Sequence, residues 1–356
     1  MKKFANIALF FLIFFTVIVV VSCSIYNYNI GPVSRDQELK EIVIDEGETF
    51  LTIAPLLKEN NLIKSEFFYK LYIKLFKPET FEAGVYQLSE NMGVAKIVKT
   101  ISEGGNYDLE VIKITFVEGK NMRYIASMID QKTENTEEDV HALLSNEEYI
   151  DSLIQKYWFL TDEIKNDEIY YSLEGYLFPD TYEFASKKVT VDEIFTKLLD
   201  NTNKKLSPYK EQIEKSGYSV HEILTLASIV ELEGASSDDR ASVAGVFYNR
   251  LETNETLGSD ITGYYGAKMD DWSNGLGEHL DDCNGYNTRG TCVPALPVGP
   301  VCNPGLDSIE ATLNPTDHNY LFFVADCSGK TYLNYTDAQH QQTIRKLKSE
   351  GNWCDN

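Results

Sequence analysis

The run from Phe4 to Val21 carries no charged side chain, and Met1-Lys2-Lys3 stands in front of it. It approaches the ~20 apolar residues that a spanning helix needs. A buried core helix of this length would be expected to show some polar face, and this run shows none. The lysines favour keeping the N-terminus in the cytoplasm and exporting the rest of the chain. Residues 1–23 therefore read as a membrane anchor or a lipoprotein signal, with the cytoplasmic membrane as a partner and the bulk of the chain on its extracytoplasmic side.

Two outcomes stay open at the end of the run. Val20-Val21-Ser22-Cys23 fits the short pattern in which a small residue precedes a cysteine lipidated after signal cleavage, which makes Cys23 a candidate lipidation site. An uncleaved anchor fits equally well. The other cysteines, Cys283, Cys292, Cys302, Cys327 and Cys354, crowd into the last quarter of the chain. They lack the paired Cys-x-x-Cys spacing of a structural zinc site, whereas an exported location permits disulfides. Cys283–Cys292 and Cys302–Cys327 are the expected pairs because each closes a short local loop, leaving Cys354 as the spare thiol. No metal and no cofactor are expected.

The exported part is long enough for two or three units with ordinary cores: the chain has 356 residues, 43% of them apolar. Its formal charge of −23 would repel a phosphate backbone, so nucleic acid is excluded as a partner. Residues 24–37, with Gly31-Pro32, read as a linker. Ile42-Val43-Ile44 reads as a strand, Thr49 onward as a helix with Ile53, Leu56 and Leu57 on one face, and Ser65 as the cap of a second helix through Phe76. Gly84 to Leu88 is a second strand and Val94 to Ile101 a helix stopped by Gly104-Gly105. These elements define a first module, 38–105.

A similar order returns 72 residues later, where Ile114-Thr115-Phe116, Glu118-Gly119 and Ile125-Ala126 repeat Ile42-Val43-Ile44, Glu46-Gly47 and Ile53-Ala54. Residues 106–205 thus form an intervening α+β region, either a second related unit or a chance return of common turn chemistry. From 206 to 356 the chain begins with apolar helical segments and then turns rich in Gly, Pro, Asn and Tyr. The whole reads as α+β.

Several catalytic motifs are missing. His221-Glu222 lacks a second histidine four residues on, and there is neither a Walker loop nor a Gly-x-Ser-x-Gly elbow. The informative stretch is Leu224 to Glu233. At about 100° per residue Glu231 falls between Ala227 and Leu224 on an apolar side, while Glu233 points roughly 160° away. A carboxyl among apolar groups keeps its proton more readily and suits a general acid. The alternative is a glutamate at a helix end that pairs with Arg240 or Arg250. The loops beyond this helix mix hydroxyls, amides and aromatic faces, as a sugar groove requires, and make Ser259, Asp260, Tyr265, Tyr286, Asn287 and Thr288 candidate substrate contacts. Turn-forming loops share that composition.

The segments Ala83-Gly84-Val85-Tyr86, Val117-Glu118-Gly119, Leu173-Glu174-Gly175-Tyr176, Ala227-Ser228-Ile229-Val230-Glu231, Val243 to Leu251, Ser259-Asp260, Tyr286-Asn287-Thr288, Asn303-Pro304-Gly305 and Tyr320 to Ala325 occur in one order. In that order the chain resembles the YceG-like (MltG) family of endolytic murein transglycosylases. The resemblance implies a LysM-like first module and a C-terminal catalytic module that cleaves peptidoglycan glycan strands near the membrane, with peptidoglycan synthases as candidate partners. It also implies that Glu231 is the catalytic carboxyl and Glu233 a support. In such enzymes one carboxyl protonates the glycosidic oxygen and then serves as base for the muramic acid's own 6-hydroxyl, closing a 1,6-anhydro ring. The family's usual Gln and Pro are replaced by Gly258 and Ile261, and the stretch from Trp272 to Cys292 is unusual. Competing readings are a catalytically inactive cell-wall-binding scaffold and a hydrolytic muramidase.

Overall fold

Gly31-Pro32 is the first helix-breaking pair in the chain, and in the computed structural model the first helix, α1 (Lys2–Ile30), runs up to it. The structure describes residues 2–45, 47–78, 81, 83–104, 111–234, 236–273, 275–290, 292–293 and 295–353, with the side chains of 2–13, 237 and 238 left aside. The described side chains of α1 begin at Phe14. Among the described residues no helix is long and apolar enough to cross a membrane. Phe14, Phe15 and Val17 through Val21 are exposed. The start of the expected linker is helical, because nothing before Gly31 interrupts the backbone. Ile30 packs on a core cluster, and the Tyr26 ring meets Phe68 edge-on at 6.3 Å.

Contacts divide the chain into two compact units, the first formed by Met1–Ile112 with Glu183–Lys187 and the second by Lys113–Tyr182 with Lys188–Asn356. In the first, β1 (Lys40–Ile44) leads to α2 (Ala54–Glu59) and α3 (Glu66–Phe76), then to β2 (Gly84–Leu88) and α4 (Val94–Ser102). β1 and β2 pair antiparallel with Ile42 opposite Tyr86. Ile42, Ile44, Leu57, Tyr69, Tyr86 and Ile97 fill the core between this ribbon and the helices. The helix expected from Thr49 starts at Ala54. Thr49 and Thr52 exchange side-chain bonds in a turn, and Pro55, which has no N–H to give, sits in the first helical turn. Ser65 caps α3 by accepting from the Phe68 N–H.

The second unit opens within β3 (Ile112–Thr115), whose first residue still belongs to the first unit, followed by α5 (Met122–Lys132), α6 (Glu137–Leu144) and α7 (Glu147–Lys156). β4 (Thr181–Phe184) pairs with β3 and leads into α8 (Val191–Leu206) and α9 (Lys210–Ser216). Then come α10 (Val220–Glu233), α11 (Ser237–Glu252), α12 (Asp260–Gly266), α13 (Leu306–Leu313), an antiparallel hairpin of β5 (Phe322–Ala325) and β6 (Thr331–Asn334), and α14 (Asp337–Ser349). Reciprocal capping boxes at Thr136, Thr190, Ser219 and Thr336 open α6, α8, α10 and α14. α10 is apolar nearly all round and accordingly central, with every residue from Ile223 to Val230 buried. Leu226, Ile229 and Val230 pack against Val243 and Phe247 of α11 and Tyr265 of α12.

Candidate functional site

The last turn of α10 carries Glu231 and Glu233 to different surroundings. Glu231 Oε1 accepts from Arg240 Nη2 of α11 at 2.8 Å. Its Oε2 accepts from the Gly305 N–H at 2.9 Å and from Ser308 Oγ at 2.7 Å, both at the start of α13. The Glu231 side chain is 6% exposed and that of Arg240 15%. Glu231 does leave α10 beside Ala227 and Leu224, yet its carboxyl meets donors rather than apolar groups. A helical wheel sees only its own helix, whereas these donors come from other elements. Of the two arginines considered as partners, Arg240 is the one paired.

Glu233 is half-buried and accepts from Ser259 Oγ at 2.6 Å. Burial pushes its carboxyl above the ordinary range; the Ser259 bond opposes this, the Asp260 charge adds to it, and Arg250 and Arg289 oppose it. Ser259 is held in turn by Thr288, whose Oγ1 accepts from the Ser259 N–H at 3.1 Å and lies 2.8 Å from Thr262 Oγ1. Asp260 pairs with Arg289 at 2.7 Å. Asn287, buried, donates to the carbonyls of Leu280 and Asp282 and so pins the stretch after Trp272. Tyr286, also buried, accepts from the Tyr170 N–H at 3.2 Å. Ser259 and Thr288 thus form the frame around Glu233, Tyr286 and Asn287 are buried and hold other loops, and among the six candidate contacts Tyr265 lines the groove.

That groove has a volume of about 650 Å³ and is lined by Glu231 together with Glu118, Arg123, Tyr265, Asp270 and Trp272. Arg123 grips Asp270 through two nitrogens, Nε at 2.9 Å and Nη2 at 2.6 Å. Trp272 stacks on Tyr264 with ring centroids 5.5 Å apart, so the unusual stretch furnishes a wall of the groove. Cys283 and Cys292 are joined by a disulfide within it.

Beneath the groove lies Glu174, 1% exposed, which sequence reasoning left without a role. Its Oε2 accepts from the Met122 N–H at 2.8 Å and from Tyr265 OH at 2.9 Å, and its Oε1 from Asn303 Nδ2 at 3.1 Å. Burial raises its carboxyl to about 7, against the pull of the Met122 N–H, the Tyr265 hydroxyl and the Arg123 charge. Asn303 bonds outward as well, taking the Leu177 N–H on Oδ1 and giving its own N–H to the Lys120 carbonyl. Gly119 completes this clasp by donating to the Asn303 carbonyl at 3.0 Å. It does so at φ +72°, where a side chain would be strained and its Cβ would lie 3.1 Å from Leu232 Cδ2. The Glu-Gly pairs at 118–119 and 174–175 were the available sequence signal, since each puts a carboxylate beside a turn glycine.

The expected Cys302–Cys327 bridge is not formed. Cys302 is a buried free thiol whose Sγ donates to the Ser228 carbonyl at 3.3 Å, packed on α10. Cys327 is disulfide-bonded and lies in the β5–β6 turn, where its N–H meets the Asn352 carbonyl. Nearness in sequence misled because the intervening α13 and β5 carry the chain away. Cys354 lies outside the described residues. Cys23 is free and exposed. Among the described residues no group of three His, Cys, Asp or Glu side chains could hold a metal ion.

A carboxylate clamped by donors on the wall of an open groove is equipped for proton exchange with a bound polar substrate. The chain belongs to the YceG-like family, whose model matches residues 42–346. It is 33% identical over 324 residues to an endolytic murein transglycosylase of Bacillus subtilis, spanning 90% of this chain and 88% of that protein. A protein of the same name from Streptococcus pneumoniae strain D39 is 33% identical over 316 residues, which are 85% of this chain and 57% of that longer protein. Among solved structures, a yceG-like protein from Listeria monocytogenes matches with a TM-score of 0.62 and 31% identity, over 86% of this chain and all of that one.

Proposed function

We propose that this chain is a membrane-anchored lytic transglycosylase that cuts the MurNAc-GlcNAc β-1,4 bond inside peptidoglycan strands and leaves 1,6-anhydro-MurNAc ends. The observation that carries this reading is Glu231, held by Arg240, Gly305 and Ser308 on the wall of the groove. The name shared by the relatives supports the substrate. Glu231 is the reacting carboxyl. In the one-carboxyl scheme it exchanges protons with the glycosidic oxygen and with the 6-hydroxyl that attacks C1. Glu233 supports it from the far side of α10, and Trp272, exposed on the groove wall, offers a ring face to sugars.

Residues 38–105 serve in this reading as a LysM-like glycan-binding module, 106–205 as an intervening region and 206–356 as the catalytic module. The apolar run before them, or a lipid on Cys23, keeps the enzyme on the outer face of the cytoplasmic membrane, where peptidoglycan synthases deliver nascent strands. Product mass on purified glycan strands tests the reaction: an anhydro end is lighter by one water than the end a hydrolytic muramidase leaves. A pure scaffold would release no fragments, and an open groove beside Glu231 speaks against it.

A further inference from the structure

Glu118 shares the groove with Glu231. It is exposed, and among the described residues no donor holds its carboxyl. The two side chains flank one backbone position, Gly305. The Gly305 N–H donates to Glu231, while a Cβ built on Gly305 would lie 2.4 Å from the Glu118 carboxyl carbon. A Cβ built on Gly119, the next residue, would lie 3.6 Å from Glu231 Cγ. Glu118 is thus aimed at the clamped carboxylate by the turn that Asn303 and Glu174 secure.

The two carboxyls are fitted for opposite tasks. A carboxylate offers about four lone-pair sites, of which Arg240, Gly305 and Ser308 occupy three on Glu231, leaving about one to accept a substrate proton. Among the described residues Glu118 has no such donors. Lost hydration and then the Glu231 charge push its carboxyl above the ordinary range; the Arg240 charge opposes this and the Asp307 charge adds to it. A carboxyl already filled with donors and a neighbour without them are suited to the base and the acid role respectively.

We propose that Glu118 is a second catalytic residue, the proton donor to the leaving glycosidic oxygen, with Glu231 as base for the 6-hydroxyl. The inference rests on the transglycosylase reading and divides between two side chains what the one-carboxyl scheme assigns to one. As the C1–O bond breaks, its electron pair stays on the glycosidic oxygen, which takes the Glu118 proton. O6 of the same muramic acid bonds to C1 and its proton passes to Glu231. Transfer of that proton back to Glu118 restores the pair, with no water consumed.

The test is steady-state kinetics of anhydro-product release from purified glycan strands, across pH, for the full-length protein and its Glu118→Gln and Glu118→Ala variants. We expect Glu118→Gln to lower kcat by about 100-fold or more with KM changed less than about threefold, since positioned acids contribute about that much. The alkaline limb of the kcat/KM profile should be lost. Formate should restore part of the Glu118→Ala rate, a rescue that cannot repair a merely misfolded chain. A Glu118→Gln enzyme with unchanged kcat, or with an altered KM alone, or with its alkaline limb intact, overturns the inference while the wild-type product still upholds the transglycosylase reading. Wild-type ends heavier by one water overturn both.

Discussion

Replacing Glu231 by Gln preserves its shape and one acceptor oxygen but abolishes proton transfer. It also sets an amide N–H against one of the donors Arg240, Gly305 or Ser308. The expected outcome is a loss of at least about 100-fold in kcat for anhydro-product release. Glu233→Gln, whose carboxyl faces Ser259 on the other side of α10, should cost less. If the Glu233 variant were dead and the Glu231 variant active, the two roles would have to be exchanged. Glu174 supplies a pH signature. Its folded value, about 7, lies above the ordinary 4.5, so the folded protein holds its proton more tightly than the unfolded chain. The stability it contributes is fully present below about pH 4.5 and lost as pH rises through about 7, on the order of 3 kcal/mol. Urea unfolding at pH 5 and pH 8 should show that fall in the wild type and a shallower one in Glu174→Gln; parallel slopes would remove Glu174 as its source. Helical periodicity was enough to separate the faces of Glu231 and Glu233. It could not reveal Arg240, Ser308 or the Glu174–Asn303 clasp, because those contacts join residues 9 to 129 apart.

At the scale of elements, α10 matters because other segments are laid on it. Ser228, fully buried in its middle, accepts the Val301 N–H at 3.0 Å and donates to the Thr225 carbonyl at 2.7 Å. Two residues beyond Val301 comes Asn303, and then Gly305, whose N–H reaches Glu231. Ser228→Ala leaves the Val301 N–H without that acceptor, at a cost of about 1–3 kcal/mol. For a chain of this size that corresponds to a drop of several degrees in melting temperature, readable by calorimetry. Activity should fall too, because the segment carrying Gly305 loses its tether; an unchanged melting curve would mean that water or a shifted backbone replaces the bond. Most elements were legible from period and punctuation. Ser65, Gly84 to Leu88 and Val94 to Ile101 mark their helices and strand within a residue or so of the observed ends. Two misjudgements have local causes: Pro55 delays α2 to Ala54, and the linker reading gave too little weight to the absence of a breaker before Gly31. Cys283–Cys292 formed as expected, whereas the Cys302–Cys327 pairing failed for a reason of another kind, since a disulfide reports distance in space and sequence reports only separation along the chain.

For the whole molecule, the apolar N-terminal run decides how the chain is attached. Tyr26 and Ile30, near the end of α1, belong to the packing of the first unit, whereas Phe14, Phe15 and Val17 to Val21 are exposed along the same helix. Large apolar side chains in a row broken only at Thr16 are poorly matched to water, at about 25 cal/mol for each Å² left uncovered. A bilayer or a lipid-modified Cys23 resolves that mismatch in different ways. The first keeps the run and buries it, and the second removes it and substitutes acyl chains. The formal charge of −23 would repel an anionic lipid surface, so attachment should depend on the apolar segment and persist in high salt. The full-length protein expressed in bacteria should therefore sediment with membranes and resist extraction by high salt but not by detergent. A chain starting at Ser24 keeps Tyr26 and Ile30 and should be released as a folded protein that still cleaves isolated glycan strands. Intact mass then separates the two attachments, because an uncleaved anchor retains residues 1–22 and a lipoprotein carries acyl chains on Cys23. Full-length protein recovered as soluble cytoplasmic material would overturn the membrane assignment while leaving the groove chemistry untouched.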